Sequence, residues 1–295
     1  MAEALSVAVT RGEIVESTHR VHAVAVKDGE VVAAAGDPDL VVSLRSSAKP
    51  IQALLLARVR EDLEEEHYAI ASASHFGTEM HVAAVRSLLE ATGGSEDELD
   101  CGLQDNRPPE PIYHNCSGKH AGMIAVCRAR GWPVEGYRRP EHPLQRELTE
   151  EIARAAEVDR AKVETATDGC GVVCFAFPLE RIARAFARLE RLEGGGRIVS
   201  SMRARPELIG GEGATDTTLM RSLDAWIAKG GAEGLMAGAS PDGLGIALEV
   251  EDGNSRALRP ALSEFMRQFG VDLSSFAQVP VRNSHAEVVG EVRNF

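Results

Sequence analysis

The chain reads as a mixed α/β protein of the α+β kind, in which strands from the two ends form one antiparallel sheet around a largely helical centre. Three features carry that reading. Alternating or continuous apolar runs fall at residues 7–9, 21–26 and 30–35, and return at 235–238, 244–250 and 287–292. Asp28-Gly29 and Pro241-Asp242-Gly243 stand between consecutive runs and are tight-turn sequences, so those neighbours pair as hairpins. Between the two groups of strands, apolar residues recur at the three- and four-residue spacing of helices.

In chain order, the Gly36-Asp37-Pro38-Asp39 turn leads into a helix over 46–59, with Ser46 or Ser47 near its N-cap and Pro50 tolerated in its first turn. That places the Ser46 hydroxyl near the helix's positive end. Further helices are expected at 79–91, 118–130, 143–156 and 179–192, and one at 256–269 between the last strands. The acidic patch at 61–66 reads as a solvated helix end, and the glycine-rich stretches at 194–196 and 210–213 as loops, the second of which could border a ligand site. No repeat or low-complexity tract divides the chain, so residues 1–295 are treated as a single two-lobed domain.

Composition narrows the function classes. With 44% apolar and 26% charged residues but only 4% aromatics, the core must be built from Ala, Val and Leu. The net charge of −13, with both signs interspersed, disfavours a polyanion such as nucleic acid as partner. No stretch reaches the roughly 18 apolar residues of a membrane span. The first twenty residues lack the basic and apolar regions of a secretion signal, so a cytoplasmic location is expected, with the five cysteines free, buried or metal-bound.

Ser46 lies three residues before Lys49, one helical turn away. A serine hydroxyl needs a base to become a nucleophile, and a lysine serves once burial or nearby positive charge such as Arg45 lowers its pKa. The plain alternative is a helix cap followed by a surface lysine. Cys116, Lys119 and Cys170 lie among polar and glycine neighbours; two thiolates suit zinc, and three protein ligands leave the open position of a catalytic site. The plain alternative is two small buried thiols and a solvated lysine. Cys127, on an apolar helix face, and Cys174, inside Val-Val-Cys-Phe-Ala-Phe, read as structural. Ser74-His75 stands before a helix, where side chains reach an active-site rim; otherwise this is an N-cap region with His81 on the helix surface.

Taken together, RSSAKPIQ from Arg45, SASHFGTEMH, HNCSGKHAGM, TDGCG and GATDTTLM resemble the asparaginase II family, over a stretch from Arg45 to about Met220. The resemblance implies a fold similar to the serine β-lactamases and glutaminases, hydrolysis of L-asparagine to aspartate and ammonia, a zinc ion and a homodimer. Residue by residue, Ser46 and Lys49 match one Ser-Lys pair and Ser74 the serine of a second. Cys116, Lys119 and Cys170 match the zinc ligands, while Arg45, His120 and Asp168 match positions lining the substrate pocket, with Arg45 on the substrate carboxylate and Asp168 on its ammonium. One position departs. Glu249 stands where the family pattern has the second pair's lysine, and a carboxylate there is expected to raise the pKa of Lys49. Lys229 could substitute only if the fold brought it near, and is expected on the surface. The departure motivates a second function, a catalytically impaired amino-acid-binding homologue. A third, a β-lactamase-like serine hydrolase, is disfavoured by the absence of S-D-N and K-T-G elements.

Overall fold

The computed structural model describes residues 2–295. The chain opens with strands β1 (Leu5–Arg11), β2 (Ile14–Lys27) and β3 (Glu30–Ala35). Asp28 and Gly29 both take positive φ, 52° and 83°, as a two-residue hairpin turn between β2 and β3 requires. The fourteen-residue β2 pairs with β1 along its first half and with β3 along its second, and its other edge carries β9 (Gly245–Val250) in register Val21↔Val250 to Val26↔Gly245.

Between these ends the chain forms β4 (Val41–Ser43), a 3-10 turn at Arg45–Ala48, and then α1 (Lys49–Val59), α2 (Glu65–Ala71), α3 (Glu79–Thr92), α4 (Ser117–Arg130) and α5 (Pro143–Ala156). There follow β5 (Glu164–Thr167), β6 (Val173–Pro178), α6 (Leu179–Arg188), α7 (Gly195–Ala204), α8 (Pro206–Ile209) and α9 (Thr215–Ser222). The chain returns to strands with β7 (Ile227–Gly230), β8 (Leu235–Ala239) and β9, then α10 (Leu258–Arg267), β10 (Gln278–Arg282) and β11 (Val288–Asn294).

Both ends contribute to one antiparallel sheet, ordered β10-β11-β1-β2-β9-β8-β7 with β3 against β2, which is the arrangement expected from the strand patterns. Helix α6 covers one face, packing so closely that a Cβ on Gly245 would lie 2.1 Å from the Ala183 carbonyl; α10 packs against β1, β9 and β11. Helix α1 is buried from Lys49 to Ala57, apolar on nearly every side, and forms the axis around which α2, α4, α5 and α7 gather. The site lies where this helical half meets the sheet edge at β7, because the turn before α1 touches β7 and β8.

Several elements differ from the sequence expectations. The helix expected at 46–59 begins as a 3-10 turn, and that at 179–192 ends in one at Leu189–Arg191. The acidic patch, by contrast, is the solvated helix end expected, and it caps α2: Glu64 and His67 exchange backbone and side-chain hydrogen bonds, and Tyr68 and Ile70 behind them are buried. The glycines at 194–196 start α7, which buries Ile198, Val199 and Met202 against its neighbours. A small sheet, β4-β6-β5, was not anticipated, although Cys174 does lie in a buried strand and Cys127 on a buried helix face.

Candidate active site

The chain contains five lysines among its 32 basic residues, and three of the five, Lys49, Lys119 and Lys229, are at most 4% exposed. Buried lysines are rare because an ammonium loses its hydration. Here all three meet in one region. In an arginine-rich chain the retained lysine is itself a signal, since arginine cannot become neutral at ordinary pH whereas an amine can.

Lys49 opens α1, and its Nζ lies 2.6 Å from the Ala73 carbonyl, 2.8 Å from Ser74 Oγ and 3.5 Å from the Asn115 carbonyl. The serine it engages is Ser74 and not Ser46, as the three-residue spacing had suggested: no hydrogen bond joins the Ser46 side chain to Lys49 among the described residues. The 3-10 turn holds Ser46 in place through the Lys49 amide, which donates to the Ser46 carbonyl, and leaves its hydroxyl half-buried. Ser74 is fixed from behind by its own amide, which donates to the Ile209 carbonyl at 2.8 Å. Burial lowers the pKa of Lys49, aided by Lys119 and opposed by Cys116. Glu249 is no part of this balance. Its carboxyl is half-buried in β9 beside Glu233, and burial followed by that carboxylate pushes it up to about 8.

Lys229 corrects the surface expectation. It lies in β7 with no exposed area, its Nζ 2.9 Å from the Gly230 carbonyl and 3.5 Å from Asp216 Oδ2. Burial lowers it to about 8, Asp216 opposes, and Lys49 adds to the lowering, so the two amines sense one another.

HNCSGKHAG forms the end of a loop and the first turns of α4. Cys116 is the N-cap, Lys119 lies one turn on, and the His120 amide donates to the Cys116 carbonyl, stacking His120 above Cys116 on one helix face. The helix start can approach α2 because residue 118 is glycine; a Cβ there would lie 2.2 Å from the Ile70 carbonyl. Asp168-Gly169-Cys170-Gly171 turns between β5 and β6, with Gly171 at φ 84°, and brings Cys170 Sγ within 2.9 Å of Lys119 Nζ. A hydrogen bond from Cys170 and the charges of Lys49 and Lys119, against the cost of burial, hold Cys116 well below the usual thiol range; the same bond and burial raise Cys170. Lys119 is depressed by burial, but the two sulfurs outweigh this and keep it charged. Two sulfurs and an amine thus share one buried pocket of mixed charge, a donor set that fits a zinc-like dication in place of the shared protons. No group of three or more His, Cys, Asp and Glu gathers among the described residues, so the lysine is essential to any such set.

Arg45 and Asp168 pair at 2.7 Å, Nε to Oδ1, tying the turn before α1 to the turn bearing Cys170. Arg45 takes φ 45°, a left-handed conformation that a non-glycine residue adopts at a cost and that clusters at functional sites. His120 is wholly buried, its Nδ1 2.6 Å from the Tyr137 hydroxyl. His75 and His81 are also buried and stacked at 5.2 Å, so of the two readings of this segment the one with His81 on the helix surface does not hold; His75 Nε2 lies 3.0 Å from Ser117 Oγ. Gly211, in the glycine-rich stretch at 210–213, packs under the exposed Phe76 ring beside Ser74, so that stretch does border the site. All nine residues named from the sequence therefore lie on the elements that enclose this region, and Lys229, Asp216 and Tyr137 join them. Sequence periodicity missed Lys229 because β7 has only four residues.

Among solved structures, the chain is similar to Mglu in its native form, crystallised in the presence of 4.3M NaCl, with a TM-score of 0.50 and 16% identity over 86% of this chain and 62% of that one. The chain therefore spans about 62% of that protein's length, and the likeness is one of fold. A probable glutaminase gives 0.48 and 16% identity, covering 91% of this chain and 87% of that one. A β-lactamase from Mycobacterium bovis gives 0.40 and 17%, covering 87% and 94%. No curated protein matches the sequence. The L-asparaginase II family model aligns with residues 7–294, taking in the whole sheet except the first two residues of β1, and every residue of the buried lysine cluster. By that match the chain belongs to the L-asparaginase II family.

Proposed function

We propose that this protein is an L-asparagine amidohydrolase that works through a serine acyl-enzyme, with Lys49 as the base. The observation that carries this is the Lys49–Ser74 contact of 2.8 Å in a buried setting that favours the neutral amine. Hydrogen-bond accounting agrees. A neutral Lys49 has two N–H groups for the Ala73 and Asn115 carbonyls and one lone pair for the Ser74 O–H. Ser74 then attacks the side-chain amide carbon as its proton passes to Lys49. Collapse of the tetrahedral intermediate returns that proton to the leaving nitrogen, releasing ammonia, and water hydrolyses the resulting ester to aspartate. Ser46 supplies a second hydroxyl from the adjoining turn, and Lys229 keeps the region short of protons.

Recognition of a small zwitterion rests on Arg45 and Asp168. Their mutual bond uses only Nε and Oδ1, leaving Arg45 Nη2 for a carboxylate and Asp168 Oδ2, which has only a long 3.9 Å contact from Cys170 Sγ, for an ammonium. Cys116, Lys119 and Cys170 would hold zinc, which when bound keeps both sulfurs as thiolates and polarises a substrate oxygen. A cytoplasmic site of action suits five free, buried cysteines. Family membership brings the homodimer into the same proposal.

The test is ammonia release from L-asparagine and L-glutamine by purified protein whose zinc has been quantified. Release from asparagine, lost in Lys49→Met, is expected; no release from either amide by zinc-loaded protein would overturn the proposal.

A further inference from the structure

Tyr137 belongs to none of the motifs, yet its side chain ends against the site. It is 1% exposed, and its hydroxyl oxygen accepts the Asp100 amide at 2.9 Å and lies 2.6 Å from His120 Nδ1. No other acceptor for the Tyr137 proton is within hydrogen-bond distance among the described residues. The Tyr137 O–H must therefore donate to His120 Nδ1, because the reverse arrangement would leave a buried phenol proton with nothing to bond. A bare, accepting Nδ1 puts the single imidazole proton on Nε2. That nitrogen has no partner, although His120 is wholly buried one turn above Cys116 and beside Lys119. A buried N–H without an acceptor is costly and uncommon in a folded protein.

We infer that Tyr137 is a positioning residue that locks His120 as its Nε2–H tautomer, so that His120 offers one neutral hydrogen-bond donor to an oxygen of the bound substrate. The inference rests on the amidohydrolase proposal for the identity of that substrate, and it goes further in giving His120 a chemical role, a donor and not a metal ligand, and in giving Tyr137 a role at all. A ligating imidazole would need its lone pair on Nε2, which this hydrogen-bond order denies.

Two-bond proton–nitrogen correlation spectra of isotope-labelled protein report the tautomer directly, with His120→Gln identifying the His120 signals. The wild type is expected to carry its proton on Nε2. Tyr137→Phe keeps the buried ring, removes only the hydroxyl, and is expected to give a tautomer mixture and a KM for asparagine raised about tenfold with kcat less affected, the effect of one hydrogen bond to the ground and transition states alike. Zinc content should not change. Because Tyr137 acts through His120, the double variant Tyr137→Phe/His120→Gln should be no worse than His120→Gln alone. Adding L-aspartate to the wild type should shift the Nε2 signal.

A proton on Nδ1 in the wild type, an unchanged tautomer in Tyr137→Phe, additive losses in the double variant, or zinc lost in step with KM would each overturn the inference. Turnover without an L-aspartate shift overturns it alone. Absence of ammonia release overturns the functional proposal instead, while the spectrum still decides the tautomer.

Discussion

Lys229 Nζ lies 3.5 Å from Asp216 Oδ2 with neither side chain more than 8% exposed, so the sheet edge that closes the site ends in a buried ion pair. Burial holds Lys229 at about 8 and lowers Lys49 as well, so both amines give up their protons more readily than a free lysine. If hydrolysis uses neutral Lys49, kcat/KM rises with pH and levels off below the ordinary lysine range, because burial lowers that amine. Lys229→Met should abolish or displace that rise in a pH profile. A profile falling through the same range would contradict the proposed base.

Lys49 and Ser74 act as one unit and should fail as one. Lys49→Met and Ser74→Ala are each expected to lower kcat by about 100- to 10,000-fold, and the double variant to be little worse than either. Single-turnover measurements with asparagine check this. Losses that multiply would mean that the two side chains serve separate steps, with Ser46 the serine to examine.

Glu249 tests the opposite idea, that the departure from the family pattern impairs the site. Its partner is Glu233, so Glu249→Lys should leave ammonia release within a few-fold of wild type. Stability is where it acts. Raised from 4.5 to about 8 in the folded state, the carboxyl costs nothing below 4.5, where it is protonated folded or unfolded. The cost grows as pH rises from 4.5 and is complete above about 8. Glu249→Gln should therefore stabilise the protein at alkaline pH by on the order of 3 kcal/mol and leave it unchanged at acid pH, as read from denaturant unfolding at each pH.

Gly118→Ala asks whether the site depends on helix contact. The added methyl would meet the Ile70 backbone at 2.2 Å, and a carbonyl cannot swing aside as a side chain can. Separation of α4 from α2 should cost about 3 kcal/mol or more in thermal unfolding. It should also weaken zinc retention, since Cys116 and Lys119 ride on the displaced turn.

Hairpins and long helices were legible because their signals are local: Asp28-Gly29 fixes a turn, and the apolar spacing of Pro143–Ala156 gives α5 to the residue. The motif residues were also legible, as chemistry placed where chemistry is unusual. The pairing among them was not. Ser46 and Lys49 are close in sequence, but the 3-10 turn changes the angle between them, and the lysine reaches across to Ser74, 25 positions along. Lys229 was misread because a four-residue strand between Trp226 and Gly231 is too short to show a period, and its burial depends on Asp216, supplied by a different element. The glycines before α7 looked like a loop because nothing local reveals that Leu189 presses on Gly195.

Strand β1 lies between β2 and β11, with Val9 opposite Ser17 on one side and Val292 on the other. On the ribosome, that second edge has no mate until residue 292 emerges, so the nascent β1–β2 ribbon waits with an open row of amides and carbonyls while everything between β1 and β11 is made. Slow synthesis or crowding would turn that ribbon toward other copies of itself, and recovery of active protein from a heterologous host should depend on chaperone supply more than on the melting temperature of the finished molecule.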